Sequence, residues 1–276
     1  MTPYNQFVLF ICFLVCSSNC FASNGVFGRA THNGKAYSTY EDSSNEVQSK
    51  TIQSAKNRKL GERMANLVNQ TVWLRRDISI DIKSCGRSNA FFSPRLSSIT
   101  FCSELIKEIA KQTSQQMRTD KTNTQAKITE LIEGAILGIF LHELGHAIVS
   151  VNQVPITGRE EDVADQFAFY FAANLVEPRG YQVLQPTISF FSYLSAKREV
   201  GSVDPEHLKN MLANEHSLDQ QRIYNFACWS LGSGTVQGTT IAEVVDLPPA
   251  RRLRCNSEFI LLDRAFDALF KQFLKR

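Results

Sequence analysis

The chain has 276 residues, of which 43% are hydrophobic and 21% are charged, and its formal net charge is +3 at pH 7. This length allows one large domain or two small ones, and the composition is typical of a globular protein that buries a hydrophobic core. The small net charge, without a dense stripe of Lys and Arg, gives no support to nucleic-acid binding.

The N-terminus carries a continuous apolar run from Phe7 to Cys16, followed by small and polar residues. The run is too short for a helix that crosses a bilayer, which needs about twenty residues, but it suits the core of a secretory signal. Cys20 and Ala22 provide the small residues of a cleavage site, although no Lys or Arg precedes the run. The sequence therefore predicts a signal peptide at 1–22 and a periplasmic or extracellular protein. The alternative is that this segment stays uncleaved as an anchor. After cleavage no stable membrane span is expected in the rest of the chain.

Loss of the signal leaves four cysteines: Cys85, Cys102, Cys228 and Cys255. An even number suits an oxidising compartment, and four cysteines allow three pairings. The local pairs Cys85–Cys102 and Cys228–Cys255 are predicted, because each could join two adjacent elements. A zinc site made of the four cysteines is disfavoured, because no C-x-x-C spacing is present.

The first elements of the mature chain are predicted from composition and periodicity. Residues 23–50 are polar and rich in Ser, Asn and Gly, which predicts a flexible tail. A modest apolar stripe predicts a helix over 51–69. Alternating apolar residues predict a strand over 71–82, and a second short strand is expected at 98–102. These strands are expected to form a small antiparallel meander held by the first disulfide.

The rest of the chain is predicted to be mainly helical. Helices are expected at 103–117, 126–151 and 257–275, and others should begin at Thr157, Asp204 and Ser217. The helix at 126–151 is apolar around most of its circumference, which predicts burial rather than a membrane span, since its ionisable residues would be costly in lipid. The expected fold class is therefore α+β, with a mainly helical single domain over 51–276 and a small antiparallel sheet before the 126–151 helix.

The stretch 132–150, IEGAILGIFLHELGHAIVS, contains His142, Glu143 and His146 in the spacing H-E-x-x-H. Residues four apart lie on one face of a helix, so the two imidazoles can bind one zinc ion. Glu143 would project beside them as a candidate general base. Gly145 lowers the helix propensity, which indicates that another backbone passes close to it.

A catalytic zinc site usually has three protein ligands and a water, so a third ligand is needed. The acidic residues after Gly158 are the candidates, and Thr157 with Glu160 fits a capping box, which gives Glu160 a structural role. Glu161 is predicted as the third ligand and Asp165 as the acceptor that orients one imidazole. Asp162 or Asp165 as the ligand remains the alternative.

An oxyanion formed during hydrolysis needs a donor. His216 is the predicted donor, because it directly precedes the helix expected to begin at Ser217, whose positive end favours a neutral imidazole. A plain surface-loop residue is the competing interpretation, and Arg222 and Tyr224 are the reserve donors.

The motifs HELGHA and GREEDVADQ resemble an uncharacterised bacterial family of exported zinc metallopeptidases. The resemblance extends to CGRSNAFFSP, ITFCSEL and HSLDQQRIYNFACW, and so covers most of the mature chain. The H-E-x-x-H motif with a downstream E-x-x-x-D, Glu161 to Asp165, is similar to the gluzincin arrangement of thermolysin-like peptidases. That similarity implies a zincin-like domain in which Glu161 binds zinc and Asp165 supports a ligand histidine. The gap from His146 to Glu161 is shorter than in thermolysin-like enzymes.

The leading hypothesis is a secreted or periplasmic zinc metallopeptidase that cleaves peptides or proteins with a zinc-activated water and Glu143 as general base. The alternative is a zinc-binding but non-catalytic envelope protein with a binding or chaperone-like role. The presence of Glu143 argues against it, because a structural site needs no general base. The sequence leaves the oligomeric state open.

Overall fold

The computed structural model describes residues 33–118, 124–175, 180–199 and 217–275, with the single positions 206, 209 and 213. The strands are β1 Ala36–Tyr40, β2 Ile78–Lys83, β3 Ala90–Ser93 and β4 Ser98–Cys102. The first helices are α1 Glu46–Asn57, α2 Leu60–Thr71, α3 Ser103–Met117, α4 Gln125–Asn152, α5 Glu160–Leu175 and α6 Gly180–Glu199. They are followed by α7 Asp219–Gly232, α8 Val236–Val244, α9 Pro249–Arg252, α10 Cys255–Leu269 and a 3₁₀ turn at Lys271–Phe273. The expected α+β class is confirmed: helices dominate, and one small sheet precedes α4.

The sheet has the strand order β1-β2-β4-β3, with β3 at one edge. β1 pairs with β2 and β2 pairs with β4 in parallel, whereas β3 and β4 are antiparallel. The predicted antiparallel meander is therefore wrong, because the sheet is mixed. Alternation of apolar residues locates strands, but it carries no information on the direction in which they pair.

The predicted flexible tail at 23–50 is also wrong over its second half. β1 lies within it and occupies the other edge of the sheet, where only Ala36 of the strand is buried. α1 begins at Glu46, capped by the Asn45 side chain, which accepts from two backbone amides. An edge strand with a solvated face gains its pairing energy through the backbone, so it lacks the apolar alternation from which a strand is predicted. Residues 23–32 and the predicted signal at 1–22 lie outside the described residues.

The single helix predicted at 51–69 is two helices. α1 ends at Asn57 and α2 begins after Lys59, whose φ of 52° lies in the left-handed region. The chain turns there, and a residue other than Gly in this conformation gives no clear sequence signal. The strand predicted at 71–82 starts only at Ile78, after isolated bridges at Val72 and Leu74.

α4 is the central helix of the fold. It packs against α3, α5 and α6, and against β3 and β4 of the sheet. By length and composition it could cross a membrane, but 83% of its most apolar window is buried by other described residues. A methyl group added at Gly145 would lie 2.9 Å from the Ala164 Cα atom of α5, so this glycine does mark the close approach of a second backbone.

Two disulfides tie neighbouring elements together. Cys85 is bonded to Cys102 between the end of β2 and the end of β4, and Cys228 is bonded to Cys255 between α7 and α10. These are the two local pairs expected from the sequence. The helix predicted to begin at Asp204 lies among positions that are mostly outside the described residues.

Candidate metal site

His142, His146 and Glu161 converge at one point between α4 and α5. The two Nε2 atoms are 3.3 Å apart, and the Oε2 atom of Glu161 lies 3.2 Å from His142 Nε2 and 3.4 Å from His146 Nε2. The three atoms form a nearly equilateral triangle. These residues could hold a metal ion. The second such group within the described ranges, Cys85 and Cys102 with Glu104, has its two sulfurs in a disulfide.

Local chain geometry explains how the triangle forms. The helical repeat places both imidazoles on one face of α4. α4 ends where Gln153 adopts a left-handed conformation with φ 55°, which turns the chain back. α5 then begins at Glu160 rather than at Thr157, so the predicted capping box is wrong and Glu161 stands in the first turn of the helix. The close contact at Gly145 brings this turn over the two histidines.

A buried chain of polar contacts supports His142. Its Nδ1 atom lies 2.8 Å from Asp165 Oδ1. The same carboxylate accepts hydrogen bonds from Arg222 Nε at 2.8 Å and from Arg222 Nη2 at 2.6 Å. The Arg222 guanidinium is centred 4.1 Å from the ring of Phe191. An ionised carboxylate only accepts, so His142 donates from Nδ1, and in its neutral, metal-binding form the lone pair of Nε2 is directed towards the triangle.

His146 has a similar contact on the solvent side. Its Nδ1 atom lies 2.8 Å from Oε1 of Glu160, whose side chain is 46% exposed. The sequence assigned Glu160 to a helix cap. The contact was missed because it depends on the residue at which α5 begins.

The electrostatics of the metal-free site follow from burial and close charge. Burial lowers the pKa of His142, but the Asp165 charge outweighs it and raises that pKa to about 9. Burial also opposes a protonated His146, yet hydrogen bonds to Glu161 and Glu160 raise its pKa. Against the effect of burial, the pKa of Glu161 lies well below its usual range because both histidines hydrogen-bond to it. Burial raises the pKa of Glu143.

Glu143 and two of the three candidate ligands, His146 and Glu161, border an open cleft of about 480 Å³. Arg159 and Glu160 line it as well. The rest of its lining comes from β3 and its flanks: Asn89, Ala90, Phe91, Phe92 and Pro94. The candidate base and two of the candidate metal ligands therefore adjoin one space that is large enough for a substrate.

Of the other residues predicted from the sequence, those that the structure describes do not contribute atoms to the triangle. Asp162, the alternative third ligand, instead accepts a hydrogen bond from the Ser217 hydroxyl at 2.9 Å. Asp165 reaches the far nitrogen of His142 rather than the triangle. His216 lies outside the described residues. Arg222, a reserve oxyanion donor, is instead paired with Asp165, and no motif signalled that pairing.

A buried core helix with H-E-x-x-H, a glutamate at the start of the next helix and an adjoining cleft are features that this site shares with metallopeptidases. The chain belongs to the family DUF4344, described as "Putative metallopeptidase", whose model matches residues 37–270. The match begins in β1 and ends just after α10, so it includes every element of the site. The resemblance drawn from the motifs is confirmed at the level of the family. No curated protein and no solved structure matches the chain.

Proposed function

We propose that the protein is an exported zinc metallopeptidase in which His142, His146 and Glu161 bind zinc and Glu143 is the general base. One observation carries the proposal: the three donor atoms form a triangle with edges of 3.2, 3.3 and 3.4 Å, and Glu143 borders the same cleft. The two disulfides support export, because such bonds persist in oxidising compartments.

The size of the triangle fits zinc. A tetrahedron whose bonds to the central ion are about 2.0–2.1 Å long has edges of about 3.3–3.4 Å. The observed edges match one face of such a tetrahedron. Two imidazoles and one carboxylate are also a donor set found in catalytic zinc sites, where the remaining position is left to water or substrate.

In the proposed reaction the zinc ion and the side chains have separate roles. Bound zinc supplies a Lewis acid that polarises a carbonyl and lowers the pKa of water to about 7. Glu143 would accept a proton from the attacking water and pass it to the leaving amine. Burial raises its pKa, which favours acceptance of that proton from the water. Asp165, 2.8 Å from His142 Nδ1, would hold that ring in the orientation that metal binding requires.

The shape of the cleft suits an extended peptide. β3 is an edge strand, paired with β4 on one side only within the described part of the sheet. An extended chain can add to such an edge through backbone hydrogen bonds. Phe91, Phe92 and Pro94 would then offer apolar surface to substrate side chains. A peptide bound along β3 would lie across the space that Glu143 borders.

The test compares the wild type with Glu143→Gln, measuring zinc content and cleavage of casein or a peptide library. We expect equal zinc in the two proteins and a loss of cleavage of about 10²–10⁴-fold in the variant. Glu130→Gln, a change of the same kind on the same helix but outside the cleft, should leave both unchanged. Full activity of Glu143→Gln would refute the mechanism, and lack of zinc in all three proteins would refute the site. Bound zinc without any cleavage by the wild type would support the non-catalytic alternative.

A further inference from the structure

We infer that Glu160 is a positioning residue that fixes the imidazole of His146 for metal binding; this inference rests on the proposed function. The contact that carries it is the 2.8 Å distance between Glu160 Oε1 and His146 Nδ1. Glu160 and Glu161 are the first two residues of α5, and they contact opposite nitrogens of the same ring.

The two contacts together define the orientation of the ring. A flip of the imidazole about its Cβ–Cγ bond exchanges nitrogen and carbon positions, so both contacts would be lost at once. An ionised Glu160 can only accept, and His146 therefore keeps its proton on Nδ1. In the neutral ring the lone pair of Nε2 then faces His142 and Glu161, which is the tautomer that a metal ligand needs.

The two histidines are supported to different degrees. Asp165, which orients His142, is 4% exposed and is held by Arg222. Glu160, which orients His146, has a side chain that is 46% exposed at the start of a helix. A change at Glu160 should therefore alter the ligand without creating a buried unpaired charge. An effect of Glu160 on metal affinity can therefore be measured without a large loss of stability of the fold.

A simpler role for Glu160 would be to place negative charge at the positive end of α5, as acidic residues in first turns do. Asp162 provides a matched control for that role. It lies in the same first turn, its side chain is 39% exposed, and it contacts Ser217 and Arg159 rather than a histidine. Removing either carboxylate takes one charge from the same turn, but only the loss of Glu160 removes a contact to His146.

The experiment measures zinc affinity by competition with a chromophoric chelator, for the full-length protein and its variants after removal of metal. We expect Glu160→Ala to weaken zinc binding by about 10–100-fold. Asp162→Ala should leave the affinity near the wild-type value, while both variants show similar small changes in denaturation midpoint. Glu160→Gln should recover part of the affinity, because its amide oxygen can still accept from Nδ1.

Equal zinc affinities for Glu160→Ala and Asp162→Ala would overturn the inference and leave only the effect of charge. Should the alanine variant fail to fold, Glu160→Gln and Asp162→Asn decide, and the first must bind zinc more weakly than the second. A wild type that binds no zinc would instead refute the proposed function, so the two failures are distinguishable.

Discussion

Removing the guanidinium of Arg222 should destabilise the metal-free protein strongly. Arg222 and Asp165 are 8% and 4% exposed, and they share hydrogen bonds of 2.6 and 2.8 Å. Charge-assisted bonds contribute about 1.5–3 kcal/mol each, and breaking a buried ion pair from one side costs about 3–5 kcal/mol. We therefore expect Arg222→Met to lower the free energy of unfolding by about 3–5 kcal/mol. Methionine retains much of the packing against Phe191, so the loss reports mainly the charge.

Urea denaturation at pH 7 measures this loss. Arg264→Met is the control, because Arg264 is exposed on α10 and surface changes stay within about 0.5 kcal/mol. Adding Asp165→Asn to Arg222→Met should recover part of the stability, since the buried carboxylate is no longer charged. A loss below about 1 kcal/mol in the single variant would contradict the argument that this pair stabilises the fold.

The pH dependence gives a second check on the same pair. Burial opposes ionisation of Asp165, but the charges of Arg222 and His142 outweigh it and hold its pKa well below the usual range. The stabilisation is therefore present above the unfolded pKa of about 3.9 and is lost as the pH falls through the folded value. The difference between wild type and Arg222→Met should shrink in acid, and a constant difference from pH 7 to pH 2 would argue against this origin.

Four further results are expected. Gly145→Ala should lower the free energy of unfolding by about 1–3 kcal/mol, because the added methyl group meets the α5 backbone; Gly158→Ala, with open space around it, is the control for chemical denaturation. Because the pKa of His142 is raised to about 9, zinc affinity should rise between pH 6.5 and 9, and calorimetry in two buffers at pH 7 should show proton release. In the metal-free protein, protonated His142 stabilises fully below about pH 6.5, and this contribution is lost as the pH rises through about 9; a flat stability curve there would contradict it. Replacing Cys228 and Cys255 with Ser should cost about 2–5 kcal/mol by thermal denaturation, and an unchanged midpoint would show that the bond is dispensable.

The candidate site was largely predictable because its spacing is local. H-E-x-x-H and E-x-x-x-D each span one helical turn, so the pairs His142–His146 and Glu161–Asp165 follow from periodicity and ligand chemistry. The choice of Glu161 over Glu160 as the third ligand, however, depended on a capping box at Thr157 that the structure does not have. Arg222 comes from a distant helix and could not be found in this way. Glu160 was misassigned because a cap one turn earlier is equally compatible with the sequence.

The fold was predictable where an element buries an apolar face. α4 and β4 carry that pattern, and their positions agree with expectation to within a few residues. β1 does not, because an edge strand is stabilised by backbone pairing to β2 and by α2 packed on it. The break at Lys59 was equally hidden, since a left-handed residue that is neither Gly nor Asn has no distinct signature.

The segment that follows α2 has a consequence for cooperativity. Trp73 donates its amide to Phe273 O at 2.7 Å, and Lys275 Nζ reaches Asn69 O, 206 positions away in sequence. The side chain of Asn152, the last residue of α4, binds backbone atoms of Trp73 and Arg75. One short stretch thus joins the chain's C-terminal turn, its N-terminal sheet and the helix that carries both histidines. Opening any one of them exposes contacts of the other two, so the described residues should unfold in a single transition.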